Sequence, residues 1–325
     1  MGIDSSESGS PLEAPGDSTS VRQWLHGETT HICVCVCSYK RPQYLRRLLS
    51  GLATQETGGL FTYSIVVVDN DRLQSAEFVV AEFAASCPIP IHYCVESQQN
   101  IAMARNKAVS NARGDFIAFI DDDEFPHELW LVTLFRTCMQ YGVDGVLGPV
   151  KPHFDEGTPD WVIKGKFYDR PSYRTGFIID ATKGRTGNVL LKAGIFAGMD
   201  EPFRPQFQSG EDQDFFRRMI ERGYVFIWCE EAVAYEVVPP LRWKRSFMLK
   251  RALLRGAVVP LYSTFGVRHI VKSLIAVPAY VIALPFALVS GQHRFMTILI
   301  RLCDHIGLLL ACLGIRPIKV AYVTE

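Results

Sequence analysis

The stretch that decides the fold is IAFIDDDE, residues 117–124, in which an apolar run ends abruptly in four acids. The apolar part is rich in β-branched and aromatic residues, which is typical of a buried strand. Asp121, Asp122, Asp123 and Glu124 follow at its carboxyl end. Adjacent carboxylates repel one another unless a cation lies among them, and hard oxygen ligands suit Mg²⁺ or Mn²⁺. The stretch predicts a metal-assisted site for a phosphate-bearing substrate, with a solvated acidic turn as the alternative.

Composition narrows the class of protein. The 325 residues allow one large domain or two ordinary ones, and 48% of them are hydrophobic. Basic and acidic residues balance at 34 each, which argues against a general nucleic-acid binder. None of the nine cysteines forms a CxxC pair, so we expect small buried thiols in a reducing compartment and no structural zinc site. The basic residues are uneven, and a group of them precedes the apolar tail: Arg242, Lys244, Arg245, Lys250, Arg251 and Arg255.

The two ends of the chain differ from its middle. Residues 1–30 are rich in Ser, Gly, Pro, Asp and Glu, which predicts a disordered leader. Residues 270–290 and 295–314 are apolar and each near the length that crosses a bilayer. Because Arg301, Asp304 and His305 are costly at a bilayer centre, a re-entrant or interfacial pair of helices suits the second segment better than a spanning hairpin. Two buried core helices of a soluble protein are the alternative.

Between these ends, strand patterns alternate with helix patterns. Strands are predicted at 32–37, 63–68, 89–95 and 116–120, separated by helices that begin near 42, 76 and 100. This order predicts an α/β domain over 31–240 whose sheet is mostly parallel and flanked by helices. Ligands bind at the carboxyl ends of such strands. Asp69 and the four acids at 121–124, hereafter called the acid run, both lie at such ends. Further along we expect strands at 143–150, 187–191 and 224–228, helices at 129–141 and 211–222, and an irregular segment at 151–185. A basic helix over 241–255 is expected to open a basic and hydrophobic region over 241–325.

Five blocks in this order support a resemblance to a known family. They are CVCSYKRP (35–42), VVVDND (66–71), NIAMARNKA (100–108), IDDD (120–123) and GEDQDF (210–215). Together they resemble family 2 glycosyltransferases, which have the Rossmann-like GT-A fold, and in particular the succinoglycan-type glucosyltransferases of bacterial exopolysaccharide synthesis. The resemblance covers about residues 31–240.

The resemblance implies roles on the donor side of the site. Asp69 matches the residue that accepts an N–H from uracil, although an Asp in DND also favours a turn. Arg105 suits a diphosphate or a base edge, with a surface ion pair as the alternative. Asp123 is expected to bind the metal, and Asp121 to face the ribose or a metal-bound water. The remaining residues expected around the nucleotide sugar are Ser38, Tyr39, Arg41, Asp122 and Asn188.

On the acceptor side, the resemblance implies that Asp212 is the general base and that Glu211 orients it or binds the acceptor. An acidic start to a helix would favour the helix dipole, which is the plain alternative for this pair. Many relatives carry a histidine ligand after the last strand. Here Glu236 stands in that block, and its carboxylate could replace the histidine as a third metal ligand beside Asp121 and Asp123. A metal with a single protein ligand is the equal alternative.

The sequence therefore predicts an inverting glycosyltransferase that uses Mg²⁺ or Mn²⁺. The expected donor is a UDP-hexose, and the expected acceptor is a glycan or lipid-linked sugar at the cytoplasmic face of the inner membrane. We expect contact with a membrane surface and none with nucleic acid. A sugar nucleotidyltransferase is an alternative, although residues 38–42 lack the glycines of its phosphate loop. A non-catalytic sugar-nucleotide-binding scaffold is the other.

Overall fold

The computed structural model describes Leu12 and residues 29–207, 210–261 and 265–315, with only the backbone given for Leu261. The predicted leader, residues 1–30, therefore lies outside the described residues apart from Leu12 and its last two positions. The described residues divide between two compact units. The sheet unit comprises Met1–Lys151 and Arg170–Glu236, and the helical unit comprises Pro152–Asp169 and Val237–Glu325.

Within the residues that the structure describes, ten strands form two sheets. They are β1 (His31–Ser38), β2 (Thr62–Asp69), β3 (Ile91–Val95), β4 (Phe116–Phe119), β5 (Glu124–Pro126), β6 (Gly145–Leu147), β7 (Val150–His153), β8 (Val189–Lys192), β9 (Phe226–Trp228) and β10 (Ala234–Val237). The larger sheet has the strand order β3-β2-β1-β4-β8-β6-β9, and the smaller one has the order β5-β10-β7. In the larger sheet only β8 runs antiparallel to its neighbours. The predicted α/β architecture with a mixed, mostly parallel sheet is confirmed.

Ten α-helices accompany the strands within the described part of the chain. They are α1 (Pro42–Ala53), α2 (Glu77–Ser86), α3 (Ile101–Asn111), α4 (Trp130–Tyr141), α5 (Asp160–Gly165), α6 (Glu211–Glu221), α7 (Pro240–Trp243), α8 (Arg245–Val258), α9 (Val267–Val289) and α10 (Gln292–Cys312). Helix α1 shows why helices could be predicted from the spacing of apolar residues. Pro42 begins it with a pre-set φ, and Leu45, Leu48, Leu49 and Leu52 are all buried in the core below β1 and β2.

Two cores sandwich the larger sheet. Side chains alternate along β1, so that Ile32, Val34 and Val36 join one cluster while Cys33 and Cys35 join the other. The thiols thus act as small apolar groups, and all nine cysteines are free, as expected. The second cluster is rich in aromatic rings. Phe215 of α6 stacks on Phe196 at 5.4 Å and packs on Phe203 at 4.8 Å, which fixes this helix against the sheet.

Short strands account for the main differences from the sequence prediction. The single strand predicted over 143–150 is wrong, because the chain breaks at Gly148 and Pro149 into β6 and β7, which belong to different sheets. A Cβ at Gly148 would collide with the carbonyl oxygen of Ala232, so only glycine permits this crossing. The segment 151–185 is less irregular than expected, since it contains the rest of β7 and the short helix α5. Strands β5 and β10 were not predicted at all.

The helical unit has a small core of its own. Val162, Met248 and Met296, from α5, α8 and α10, are buried together. Helices α9 and α10 are both long and apolar enough to cross a membrane by length and composition alone. The predicted basic helix over 241–255 is divided at Lys244, where α7 ends and α8 begins.

Asp214 provides a test of what anchors α6. It is buried and lies 2.7 Å from Arg217, 2.8 Å from Arg218 and 3.5 Å from Arg204. Burial alone would raise the pKa of Asp214, but hydrogen bonds from Arg217 and Arg218 outweigh it and hold the pKa below its ordinary value. A lowered pKa in the folded state stabilises the fold at neutral pH, and this stability is lost as the pH falls through the folded-state pKa.

We therefore predict that Asp214→Asn lowers the free energy of unfolding at pH 7 by about 3 kcal/mol. The deficit relative to the parent should stay constant between pH 7 and about pH 5 and shrink only as the pH falls further, through the pKa values of the unfolded and folded carboxyl group. Urea unfolding at each pH measures it. Glu82→Gln is the control, because its pair with Arg46 is exposed and worth about 0.5 kcal/mol. A deficit that does not change with pH would show that the charge of Asp214 is not what stabilises the helix.

Candidate active site

The candidate site lies at one edge of the larger sheet. The parallel strands β1, β2 and β4 all end there, and β8 begins there because it runs antiparallel to β4. Ser38 ends β1, the acids 121–124 follow β4, and Gly187 precedes β8 by two residues. The crevice beyond such strand ends is where α/β sheets bind ligands. The topology thus brings three distant parts of the chain to one edge.

Asp122 joins the acid run to the end of β1. Its Oδ2 accepts hydrogen bonds from Ser38 Oγ at 2.9 Å and from the Tyr39 N–H at 3.4 Å, and its Oδ1 lies 3.3 Å from Nη1 of Arg41. Burial, reinforced by repulsion from Asp123, raises the pKa of Asp122 to about 7. Three predicted nucleotide-sugar residues are therefore the protein partners of Asp122, and their direct contact with a nucleotide stays a prediction.

The acid run alternates between inward and outward side chains. Asp122 and Glu124 are buried, whereas the side chains of Asp121 and Asp123 are 45% and 15% exposed. Asp123 also pairs with Arg41, whose Nη1 is 3.0 Å from Asp123 Oδ2. The two accessible carboxylates are thus the alternate pair that the sequence assigned to the metal and its surroundings.

Arg105 connects the acid run to the start of α6. The side chain of Asn100 caps α3 by accepting from the N–H groups of Ala102 and Met103, and the helix presents Arg105 almost fully buried. Its Nη1 donates to Glu211 Oε1, and its Nη2 lies 3.6 Å from Asp121 Oδ1. Burial would lower the pKa of this guanidinium, but the two carboxylates raise it above its ordinary value.

Asp212, the predicted base, is half-buried beside Glu211 and accepts a hydrogen bond from the Gln213 N–H at 2.8 Å. Its carboxylate is close enough to Arg105 and Arg185 to favour the charged form of both guanidinium groups. The first turn of α6 therefore lies in the same neighbourhood as the acid run.

Asp69 ends β2, as expected, and its carboxylate is bonded within the protein. It is fully buried, and its two oxygens accept from the N–H groups of Asp71 at 3.0 Å and Ala76 at 2.7 Å and from Tyr93 Oη at 3.1 Å. Burial raises the pKa of Asp69 above its ordinary value in spite of these bonds. The carboxylate holds the turn from β2 to α2, and its predicted contact with uracil stays untested.

Asn188 is likewise engaged within the protein. Its side chain is completely buried, with Oδ1 accepting from Trp130 Nε1 at 2.6 Å and Nδ2 donating to the carbonyls of Pro149 and Ala232, both at 2.8 Å. Its φ of 62° lies in the left-handed region that asparagine tolerates. The side chain thus fixes the turn that leads into β8, and its contact with a sugar stays a prediction.

The neighbour of Asn188 approaches the acids closely. A Cβ on Gly187 would lie 2.9 Å from both Asp121 Oδ2 and Glu124 Oε1, closer than real Cβ atoms come to other atoms. Glycine at 187 therefore lets the backbone pass directly beside the acid run. The hydroxyl of Thr186 next to it is buried and is the sole buried side-chain polar atom in the described part of the chain without a hydrogen-bond partner.

Glu236 faces another carboxylate. The antiparallel pair β5–β10 puts Glu236 directly opposite Glu124, an arrangement that repulsion disfavours. Arg170 relieves it, since its Nη2 pairs with Glu236 Oε2 and its charge also acts on Glu124. Burial and repulsion from Asp121 and Asp123 nevertheless raise the pKa of Glu124 well above its ordinary value.

Two arginines at the site were missed from the sequence. Arg170 approaches the acids from the segment before β8. Arg185 is half-buried, and burial together with repulsion from Arg170 lowers its pKa, while Asp212 and Glu124 oppose the shift. No motif marks either residue. The one available signal was the excess of acids, which requires cations nearby.

The residues at the sheet edge show whether the expected Mg²⁺ or Mn²⁺ ion could be bound there. Among the described residues no group of three or more His, Cys, Asp or Glu side chains is arranged to hold a metal ion. Asp121 and Asp123 alone offer accessible carboxylate oxygens in the acid run. Mg²⁺ is commonly held by one or two carboxylates and completed by substrate phosphates. The donor set therefore fits a metal that binds together with a diphosphate.

The sequence is similar to those of known proteins. The family model described as "Glycosyl transferase family 2" matches residues 33–200. The succinoglycan biosynthesis protein ExoM of Rhizobium meliloti is 31% identical over 308 residues, covering 91% of this chain and 97% of the relative. The glycosyltransferase AglE of Haloferax volcanii is 22% identical over 209 residues, covering 64% and 67%.

Two solved structures share the fold. The mannosyltransferase PcManGT from Pyrobaculum calidifontis, in complex with GDP-Man and Mn²⁺, superposes with a TM-score of 0.54 at 16% identity, covering 89% of this chain and 92% of that chain. S. aureus TarS 1-349 in complex with UDP superposes with a TM-score of 0.50 at 14% identity, covering 90% and 94%. At these identities the likeness concerns the fold alone.

Asn188 yields a prediction about the framework of the site. Asn188→Ala would remove the side-chain partner of the buried Trp130 N–H and of the Ala232 carbonyl, whereas the Pro149 carbonyl would still accept from the Ala234 N–H. The loss should lower the free energy of unfolding by about 3 kcal/mol. Urea unfolding monitored by circular dichroism measures the change. Asn111→Ala is the matched control, because that amide is half-buried and bonds mainly within its own helix. Equal costs for the two variants would contradict the framework role.

Proposed function

The chain belongs to the family 2 glycosyltransferases, and from this premise we propose that it transfers a hexose from a UDP-sugar to a glycan acceptor with inversion at the anomeric carbon. One observation carries the proposal. Arg105 contacts both Asp121 and Glu211, so the acids expected to face the donor and those expected to face the acceptor share one crevice. Family membership makes the chain an enzyme, and nothing in the site favours a nucleotidyltransferase or a scaffold.

The donor side is rich in guanidinium groups. Arg105 and Arg41 neutralise acids of the run, and Arg170 and Arg185 add positive charge from the segment before β8. We propose that Arg105 and Arg185 balance the charge of the donor diphosphate, since planar guanidinium groups suit phosphate oxygens. The unpartnered hydroxyl of Thr186, two residues before Asn188, supports a ligand beside this segment.

For two predicted binding residues we propose positioning roles instead of direct contacts. Asp69 holds the turn after β2, and Asn188 holds the turn before β8, because every one of their side-chain polar atoms is already bonded within the protein. Ser38 and Tyr39 position Asp122 in the same way. The direct contacts then come from the outward groups of the crevice.

On the acceptor side we propose that Asp212 is the general base. Its carboxylate would take the proton from the acceptor hydroxyl while that oxygen attacks the anomeric carbon and the bond to UDP breaks. A single displacement of this kind inverts the configuration. Glu211 acts through Arg105, which it holds in place, and Arg105 in turn faces the charge that develops on the leaving diphosphate.

Asp123, with Asp121 beside it, would hold a Mg²⁺ or Mn²⁺ ion. When bound with the diphosphate, such an ion supplies Lewis-acid assistance and neutralises charge on the leaving group. Glu236 as a further ligand requires its release from Arg170, with which it pairs in the structure. We therefore propose that its main role is to hold Arg170 beside Glu124.

The acceptor proposal rests on the relative and on the tail. ExoM is described as a succinoglycan biosynthesis protein, and α9 and α10 are apolar enough to meet a membrane. We propose a catalytic domain over 31–240, a membrane-associated region over 241–325, and a sugar acceptor on a lipid carrier at the cytoplasmic face of the membrane.

Asp212→Asn tests the base. The amide keeps the shape but cannot take a proton, so kcat for UDP release from UDP-glucose, with membrane-extracted glycolipids as acceptor, should fall about 10³-fold. The KM for the donor should change little, because Asp212 is assigned to the acceptor side. Gln213→Ala, at the exposed neighbouring position, is the control and should keep the parent's kcat. An unchanged kcat in Asp212→Asn would remove Asp212 from the chemistry.

The shortage of protein ligands leads to a prediction about the metal. Mn²⁺ should bind weakly to the protein alone and at least about tenfold more tightly when UDP is present, because phosphate oxygens complete the coordination. Electron paramagnetic resonance of free Mn²⁺ measures both affinities. Asp123→Asn should abolish the gain from UDP, whereas Asp144→Asn, whose carboxylate pairs with Lys192, should retain it. A gain that survives in Asp123→Asn would refute the assignment.

A further inference from the structure

The charge of the chain is strongly segregated. Between residues 237 and 315 there are ten lysines and arginines and one acid, Asp304, although the whole chain is neutral. Asp304 itself forms an ion pair with Arg255, whose Nε and Nη2 donate to its carboxylate at 2.9 and 2.7 Å. Residues 237–315 of the helical unit therefore carry a large net positive charge, which suits an anionic surface.

Helix α9 exposes a long apolar surface. From residue 274 to 289 it contains no charged residue, and Ile275, Ile282, Phe286 and Val289 are 66%, 68%, 72% and 91% exposed. A helix rises about 1.5 Å per residue, so this surface is roughly 22 Å long. Arg268 and Lys272, both exposed, lie on the first two turns. An apolar face of this size with a cationic end is typical of a helix that lies in a lipid interface.

Helix α10 is held by its neighbours along one side, where Met296, Leu302, Gly307 and Leu308 are buried. Its central polar residues bond to α8 and α9, through Arg255 on Asp304 and through Ser273 Oγ, which lies 2.8 Å from His305 Nδ1. The backbones of α8 and α10 touch, since a Cβ on Gly256 would collide with the carbonyl of Asp304 and one on Gly307 with that of Leu253. Helices α8 and α10 therefore form one packed pair.

This packing bears on how the tail meets a bilayer. Helix α8 contacts α10 from Met296, which is buried with Met248, to Gly307, a length of roughly 17 Å at about 1.5 Å per residue. If α10 crossed the bilayer, α8 would lie within its hydrocarbon core of about 30 Å. Lys250 and Arg251 are exposed on α8, and such charges are expensive there. A spanning hairpin is therefore incompatible with the structure of the helical unit.

We propose that α9 alone enters the membrane, lying along one leaflet of an anionic bilayer, while α10 and the basic helix α8 remain on the same side. The occupant of the apolar face is lipid, because the charged residues between 237 and 315 are almost all positive and suit anionic headgroups. The inference rests on the membrane association proposed above. It adds that the connection between α9 and α10, at Ser290 and Gly291, never reaches the far side of the bilayer.

The first measurement is flotation of the full-length protein with vesicles of phosphatidylcholine, with or without phosphatidylglycerol. The parent should float with the anionic vesicles. Ile282→Asp and Phe286→Asp replace exposed side chains, so they should fold normally and lower the floating fraction about tenfold. Leu73→Asp, at a 77% exposed apolar position of the sheet unit, is the matched control and should float like the parent.

The second measurement determines on which side of the membrane the connection between α9 and α10 lies. Inside-out membrane vesicles from a bacterial host are labelled with a membrane-impermeant maleimide in the absence of detergent. Under these conditions Ser290→Cys should carry one more label per chain than the parent. Ser246→Cys, exposed on α8, marks the same side. A tag on residue 290 that appears only after detergent would establish a spanning hairpin and overturn the inference while leaving membrane association intact. If the parent protein fails to float, both membrane association and the inference about α9 are wrong. If Ile282→Asp floats as well as the parent, α9 is not the helix that contacts the membrane.

Discussion

Mutual repulsion of carboxylates at one sheet edge is the constraint on which the rest of the sheet unit depends. The parallel ends of β1 and β4 and the antiparallel start of β8 concentrate acids there, and each acid must find compensation. Arg41 compensates Asp122 and Asp123, and Arg105 compensates Asp121 and Glu211. The compensation is incomplete, because the pKa of Asp122 is still raised to about 7 by burial and by its neighbour. The remaining negative charge is what a divalent cation at this edge would relieve.

The fold was predictable where local pattern and tertiary packing agree. Helix α1 carries four buried leucines at helical spacing and begins at Pro42, and β1 and β2 are long runs of β-branched and apolar residues. Strands β5 and β10 were not predictable, because they have three and four residues and their pairing joins positions about 110 apart in the chain. Segments this short carry no period of their own, and only the register with a distant partner defines them.

The candidate site was likewise predictable only in part. The sequence indicated which residue types gather at the strand ends, since their position follows from the alternation of strands and helices. It could not indicate that the polar atoms of Asp69 and Asn188 are already bonded inside the protein, because those partners come from turns and from Trp130 of another helix. Nor could it place Arg170 and Arg185, which flank a segment without a helical or strand period. Charge balance is the principle that would have required such residues, even though it could not have named them.

Overall neutrality conceals two opposite charge distributions, each matched to a different neighbour. The region from 237 to 315 holds ten of the chain's 34 basic residues and one of its 34 acids, so the rest of the chain carries a net excess of acids. An excess of acids in the sheet unit suits a divalent ion shared with a diphosphate, and it would disfavour contact with anionic lipid. A basic helical unit has the opposite preference. The lipid contact proposed for the basic region and the metal proposed for the sheet edge therefore depend on opposite charges within one neutral chain.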